Sequence, residues 1–156
     1  MSNGISRILL ATDGSEGSLR AARFVASLAL PLAAHVTMLS VHSEEALMMQ
    51  TMGPVAWPAA LPDSGLNFEE IKAATEKQAA LTTLQETKQA LGNLPDVEIV
   101  QVWGQIAEAI CDYASANSID LIVIGSRGHS TFARLLLGSV SSQVAQHSPC
   151  PVTIVH

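Results

Sequence analysis

An open parallel α/β sheet with helices on both faces is the fold class this sequence predicts. Three observations predict it: strand-like apolar blocks lack the polar alternation of a half-exposed sheet, helical stripes fall between them, and glycine-bearing turns follow the first and fourth blocks. The chain of 156 residues is one domain long, enough to bury roughly 70% of the surface its unfolded form exposes. Apolar residues make up 48% and charged residues 14%, a balance that excludes a disordered chain.

The elements follow in order. Ile8 to Ala11 is a short apolar block ending in Thr12-Asp13-Gly14-Ser15, a turn whose serine can cap the helix that follows. In that helix Leu19, Ala22, Val25, Ala26 and Ala29 recur at three- and four-residue spacing, and Pro31 ends or bends it. His35 to His42 is rich in β-branched and apolar residues and predicts a second buried strand. Residues 43–67 hold Pro54, Pro58, Pro62, Gly53 and Gly65 and form a long connection.

Ile71, Ala74, Leu81, Leu84 and Leu91 predict a long amphipathic helix that ends near Gly92. Val97, Ile99 and Val102 mark a third strand closed by Gly104. Ile106, Ile110, Cys111 and Ala114 mark another helix, and Leu121 to Ile124 a fully buried fourth strand. A short helix over Ser139 to Gln146 and a terminal strand over Pro151 to Val155 complete a single domain spanning 1–156.

Composition narrows the partners. A net charge of −6 and 4% aromatic residues argue against nucleic acid, both as a duplex and as stacked single strands. Cys111 and Cys150 form no CxxC pair or disulfide framework, which points to a reducing, cytoplasmic setting. Phe24 to Val41 carries no formal charge, but Pro31, His35, Thr37 and Ser40 interrupt it, so it predicts a helix running into a strand and not a membrane span. The histidines at 35, 42, 147 and 156 lack metal-ligand spacing.

Chemistry concentrates at two strand ends, where open parallel sheets bind ligands. One carries Asp13 and Gly14. The other is Gly125-Ser126-Arg127-Gly128, followed nine residues later by Gly138-Ser139 at a helix start. Glycines let backbone amides approach an anion, and a helix N-terminus offers free amides and a favourable dipole. Arg127 and Arg134 add positive charge, with His129 and Ser130 nearby, and no acidic residue follows Asp120. Either arginine serves equally as phosphate contact or solvated surface. Four or five such bonds at about 1.5–3 kcal/mol each are enough for a micromolar ligand, which needs about 8 kcal/mol. The Walker and dinucleotide glycine patterns are absent.

These motifs resemble the universal stress protein family over essentially the whole chain. The resemblance rests on Ile8 to Ser15, Asp120 to Gly128, Gly138-Ser139-Val140 and Pro149 to Val155, and on the G-x2-G-x9-G-[ST] spacing of the family's ATP-binding type. It implies a Rossmann-like sheet of the adenine nucleotide alpha hydrolase type, with strand order 3-2-1-4-5. Asp13 and Gly125 would then face each other across a crevice, with Ala11 and Thr12 beside Asp13. Val41 would line the adenine pocket, and Gly125, Ser126, Arg127, Gly128, His129, Gly138, Ser139 and Val140 would surround the phosphates of ATP with Mg²⁺. Ala11 stands where many ATP-binding members carry proline. The resemblance also implies a homodimer joined through the terminal strand. The leading reading is a nucleotide-dependent regulator of stress responses. The alternatives are a slow ATPase or nucleotidyl or phosphoryl transferase, for which only Asp13, His129 and the two arginines are at hand, and a structural interaction module that binds no nucleotide.

Overall fold

A computed structural model describes residues 4–43, 68–128 and 137–156. Its elements are β1 (Arg7–Ala11), α1 (Glu16–Leu32), β2 (His35–His42), α2 (Phe68–Leu91), β3 (Val97–Trp103), α3 (Ile106–Ala116), β4 (Leu121–Gly125), α4 (Ser139–His147) and β5 (Val152–Val155). The five strands form one sheet of order β3-β2-β1-β4-β5. Every pairing is parallel, with Ala11 level with Leu39 and Leu10 level with Val123. The strand order reverses between β1 and β4, as expected.

Alternate strand residues feed two core layers. Ile8, Leu10, Val36, Met38, Leu121 and Val123 meet Ala21, Ala22, Val25 and Ala29 of α1 and Leu91 of α2. Leu9, Ala11, Leu39, Ile122 and Ile124 meet Ala107, Ile110 and Ala114 of α3 and Val144 of α4. Both faces of the central strands are thus apolar, which explains the unbroken hydrophobic runs in the sequence. The small side chains of α1 let that helix lie close on the sheet.

Helix α1 starts as anticipated: Ser15 Oγ accepts the Ser18 amide at 3.3 Å and Glu16 occupies the first turn. It runs one residue past Pro31 and stops where Ala33 turns left-handed, at φ 49°. Helix α2 departs from the expected stripe. Leu91 is buried and Leu84 packs on the core, but Leu81 is 44% exposed and Ala74 is also at the surface. The inward position between Leu84 and Leu91 belongs to Thr87, which is fully buried. Of the connection expected over 43–67, only Ser43 lies among the described residues. Within them, no helix is long and apolar enough to cross a membrane.

Candidate functional site

The C-terminal ends of β1 and β4 and the start of α4 meet where the strand order reverses. Asp13 sits in the turn after β1, exposed, with Oδ1 accepting the Ser15 amide at 2.9 Å. Gly14 supports that turn at φ +76°, a conformation side chains disfavour. A Cβ placed on Gly128 would fall 2.5 Å from Asp13 Oδ2. The carboxylate therefore lies directly against the β4 loop, and Gly128 is the residue that leaves it room.

The other two glycines of the signature serve the protein's own packing. A Cβ on Gly125 would meet the backbone of Gly17 and Ser18, at 2.5 Å from the Gly17 carbonyl carbon. Gly17, in turn, has its Cβ position taken by the Arg127 carbonyl oxygen. The first turn of α1 and the end of β4 thus touch backbone to backbone. A Cβ on Gly138 would sit 3.2 Å from the Ser126 carbonyl oxygen. Sequence reasoning assigned all these glycines to ligand approach and missed Gly17. A glycine in the first turn of a helix, where it weakens the helix, was the available signal.

Several backbone donors expected to cradle an anion are already engaged. The Ser126 amide donates to Val155 O at 2.8 Å and the Gly138 amide to Ser126 O at 2.7 Å. Ser141 Oγ donates to the same Ser126 oxygen at 3.0 Å. These bonds fasten α4 to the end of β4 and leave its N-terminus, where the N-cap Gly138 has no side chain to bond it, presenting among the described residues the amides of Ser139, Val140 and Ser141. Among the described residues, the donors that remain lie there and at Arg127–Gly128. Ser139 and Arg127 are exposed.

The remaining expected residues divide by role. Thr12 is buried, with its amide bonded to Leu39 O at 3.0 Å, and its hydroxyl lies within the protein. Ala11 belongs to the α3–α4 core layer, and Val41 and the Val140 side chain pack against it. Val140 can therefore contribute only its amide to a ligand, while half-buried Val41 lies near the C-terminal end of β2. His129 and Arg134 lie outside the described residues. Among the described residues, no group of three or more histidine, cysteine or acidic side chains could hold a metal ion.

Charged contacts also occupy the opposite edge of the sheet. Asp120 accepts the Ser6 and Arg7 amides, both at 2.9 Å, and the Ser6 hydroxyl at 2.8 Å, which lowers its pKa. His35, at the start of β2, bonds Asp96 through Nδ1 at 2.9 Å and approaches Glu98 through Nε2 at 3.5 Å. The Asp96 bond chiefly raises its pKa. Cys111 and Cys150 pack on the α3–α4 layer, and burial pushes the Cys111 thiol up, away from the reactive thiolate.

Comparison with known proteins agrees with this architecture. The family model for the universal stress protein family matches residues 4–156. A curated universal stress protein of Thermus aquaticus is 32% identical over 149 residues, covering 95% of this chain and 96% of its own length. The universal stress protein UspA from Lactobacillus plantarum superposes with a TM-score of 0.75 at 23% identity, covering 99% of this chain and all of its own. A universal stress protein solved in complex with cAMP superposes with a TM-score of 0.65 at 25% identity, over 99% of this chain and 98% of its own.

Proposed function

This chain belongs to the universal stress protein family, and from that premise we propose that it binds an adenine nucleotide, ATP with Mg²⁺, and acts as a nucleotide-dependent regulator. One arrangement carries the reading: the uncapped amides of α4 lie at the same sheet edge as Asp13, whose carboxylate rests against Gly128. Helix-terminal amides favour phosphate oxygens. The absence of acidic residues after Asp120 keeps repulsion low on that side. The relative solved with cAMP supports the adenine nucleotide class.

Within this reading the amides of Gly128, Ser139 and Val140 and the Ser139 hydroxyl hold the phosphates, and Arg127 adds positive charge. Val41 bounds the base. A magnesium ion fits the donor set as a guest of the phosphates, with Asp13 as a carboxylate at this edge, since Mg²⁺ is commonly held by one or two carboxylates plus phosphate oxygens. There it would neutralise phosphate charge beside Asp13. Binding would draw the β1–α1 turn, the β4 loop and the start of α4 together, which is the change a partner could sense.

Calorimetric titration with ATP, ADP, AMP and cAMP, each with and without Mg²⁺, tests the proposal. Micromolar affinity for ATP that strengthens with Mg²⁺ is expected; no heat with any of the four at about 500 μM, where binding worth even 5 kcal/mol would register, would overturn it. The edge of β5, which among the described residues pairs only with β4 and is half-buried along its length, further suggests a homodimer. Light scattering at micromolar concentration should return twice the monomer mass, and a monomer mass would refute the dimer.

A further inference from the structure

A chain of buried hydroxyls ties α2 to the turn that carries Asp13. Thr87 is fully buried, and a buried hydroxyl is costly unless bonded. Its Oγ1 lies 2.7 Å from Thr12 Oγ1, and Thr12 Oγ1 lies 3.3 Å from Ser18 Oγ. Ser18 Oγ donates to the Ser15 carbonyl at 2.9 Å. The Gly14 amide points at Thr12 Oγ1 from 3.4 Å, and Ser15 Oγ reaches the Arg127 carbonyl at 3.5 Å. The path therefore runs from α2, through the end of β1 and the first turn of α1, to the β4 loop.

Each hydroxyl has a single proton to give. If Thr87 donates to Thr12, the protons pass in one direction, from Thr87 to Thr12 to Ser18 to the Ser15 carbonyl. If Thr87 donates instead to the Thr83 carbonyl at 2.8 Å, Thr12 donates to Thr87 and its bond to Ser18 is given up. At 2.7 Å, the shortest separation in the network, the Thr12 and Thr87 oxygens need a proton between them, so one of these two arrangements holds and their bond is the fixed point. Steric contact adds to it: a Cβ on Gly14 would fall 2.8 Å from Thr83 Oγ1, one helical turn from Thr87. Both chain neighbours of Asp13 are thus in contact with α2.

We infer that Thr87 is a positioning residue for the nucleotide site, fixing through Thr12 the turn that presents Asp13, so that α2 sets the site's affinity. The affinity part rests on the nucleotide reading above; the positioning of the turn does not. The test uses the full chain and four variants. Thr87→Val keeps the shape without the hydroxyl, Thr87→Ser restores it, and Thr87→Cys keeps the shape with a weak donor. Thr82→Val removes an exposed hydroxyl that bonds only its own helix, at the Gln78 carbonyl.

Amide hydrogen exchange at Gly14 and Ser15 is measured without nucleotide, and ATP·Mg²⁺ affinity by titration. Thr87→Val should exchange about fivefold faster at these amides and bind about fivefold more weakly, the equivalent of one neutral hydrogen bond. Thr87→Ser and Thr82→Val should match the parent, with Thr87→Cys between. Unchanged exchange at Gly14 and Ser15 in Thr87→Val, or an equal rise at the α3 amides, overturns the inference. Should Thr87→Val not fold, parental exchange in Thr87→Cys overturns it. A parent that binds no adenine nucleotide sinks the functional reading, while exchange still decides the role of Thr87.

Discussion

Gly125→Ala adds one methyl group at the point where β4 meets α1. That methyl would lie 2.5 Å from the Gly17 carbonyl carbon, 2.7 Å from its oxygen and 2.9 Å from the Ser18 nitrogen. All three are backbone atoms, so no side chain can rotate away. To restore ordinary carbon contacts the helix must retreat by roughly 1 Å, loosening the alanines of α1 from the sheet. Overpacking costs typically 1–3 kcal/mol, and the rigid surroundings place this case near about 3 kcal/mol. A domain of this size loses about 2–4 °C of melting temperature per kcal/mol, so a fall of about 6–12 °C is expected. Thermal unfolding followed by circular dichroism, with urea titration to fix the free energy, measures it. A variant melting within about 2 °C of the parent would refute the packing role and return Gly125 to ligand approach.

Three further outcomes follow from the same contacts. Among the described residues, Gly128→Ala meets the Asp13 carboxylate, a side chain and not backbone, so its melting temperature should fall by no more than about 3 °C while ATP affinity drops; calorimetry and melting on one sample separate the two. Ala33→Gly relieves a left-handed residue at the end of α1 and should gain about 0.5–1 kcal/mol in urea unfolding, with a loss counting against the cap geometry. His35→Gln should cost most below about pH 6.5, because a histidine whose pKa is raised by Asp96 stabilises the fold when protonated and loses that contribution as pH rises through its folded value. Since Asp96 is 68% exposed, the difference should be about 1–2 °C at about pH 5.5 and shrink as the pH rises through the raised histidine value; melting curves from acid to alkaline pH check the sign.

The strands were legible because a parallel strand buried on both faces must be apolar throughout, and Ile8–Leu10 and Leu121–Ile124 show it. Their order was not legible from the residues themselves. It came from the family resemblance, since nothing in a strand's composition names its neighbour. In the site, the spacing of Gly125, Gly128 and Gly138 marked the right places without revealing what each glycine faces. Gly125 opposes Gly17, more than a hundred positions away, and the Ser126 and Gly138 amides are taken by partners that only folding brings near. Periodicity also misread α2. Leu81 fitted an inward stripe, yet the inward position is held by Thr87, whose buried hydroxyl has its partner in Thr12, just after β1.

The central claim is that the start of α4 and Gly128 receive the phosphates of an adenine nucleotide beside Asp13. An amide NMR titration with ATP·Mg²⁺ tests it most directly. The account predicts saturable shifts at Gly128, Ser139, Val140 and Ser141, with Ser6, His35 and Asp120 at the opposite edge unmoved. Saturation accompanied by shifts elsewhere and none at those four amides would contradict it.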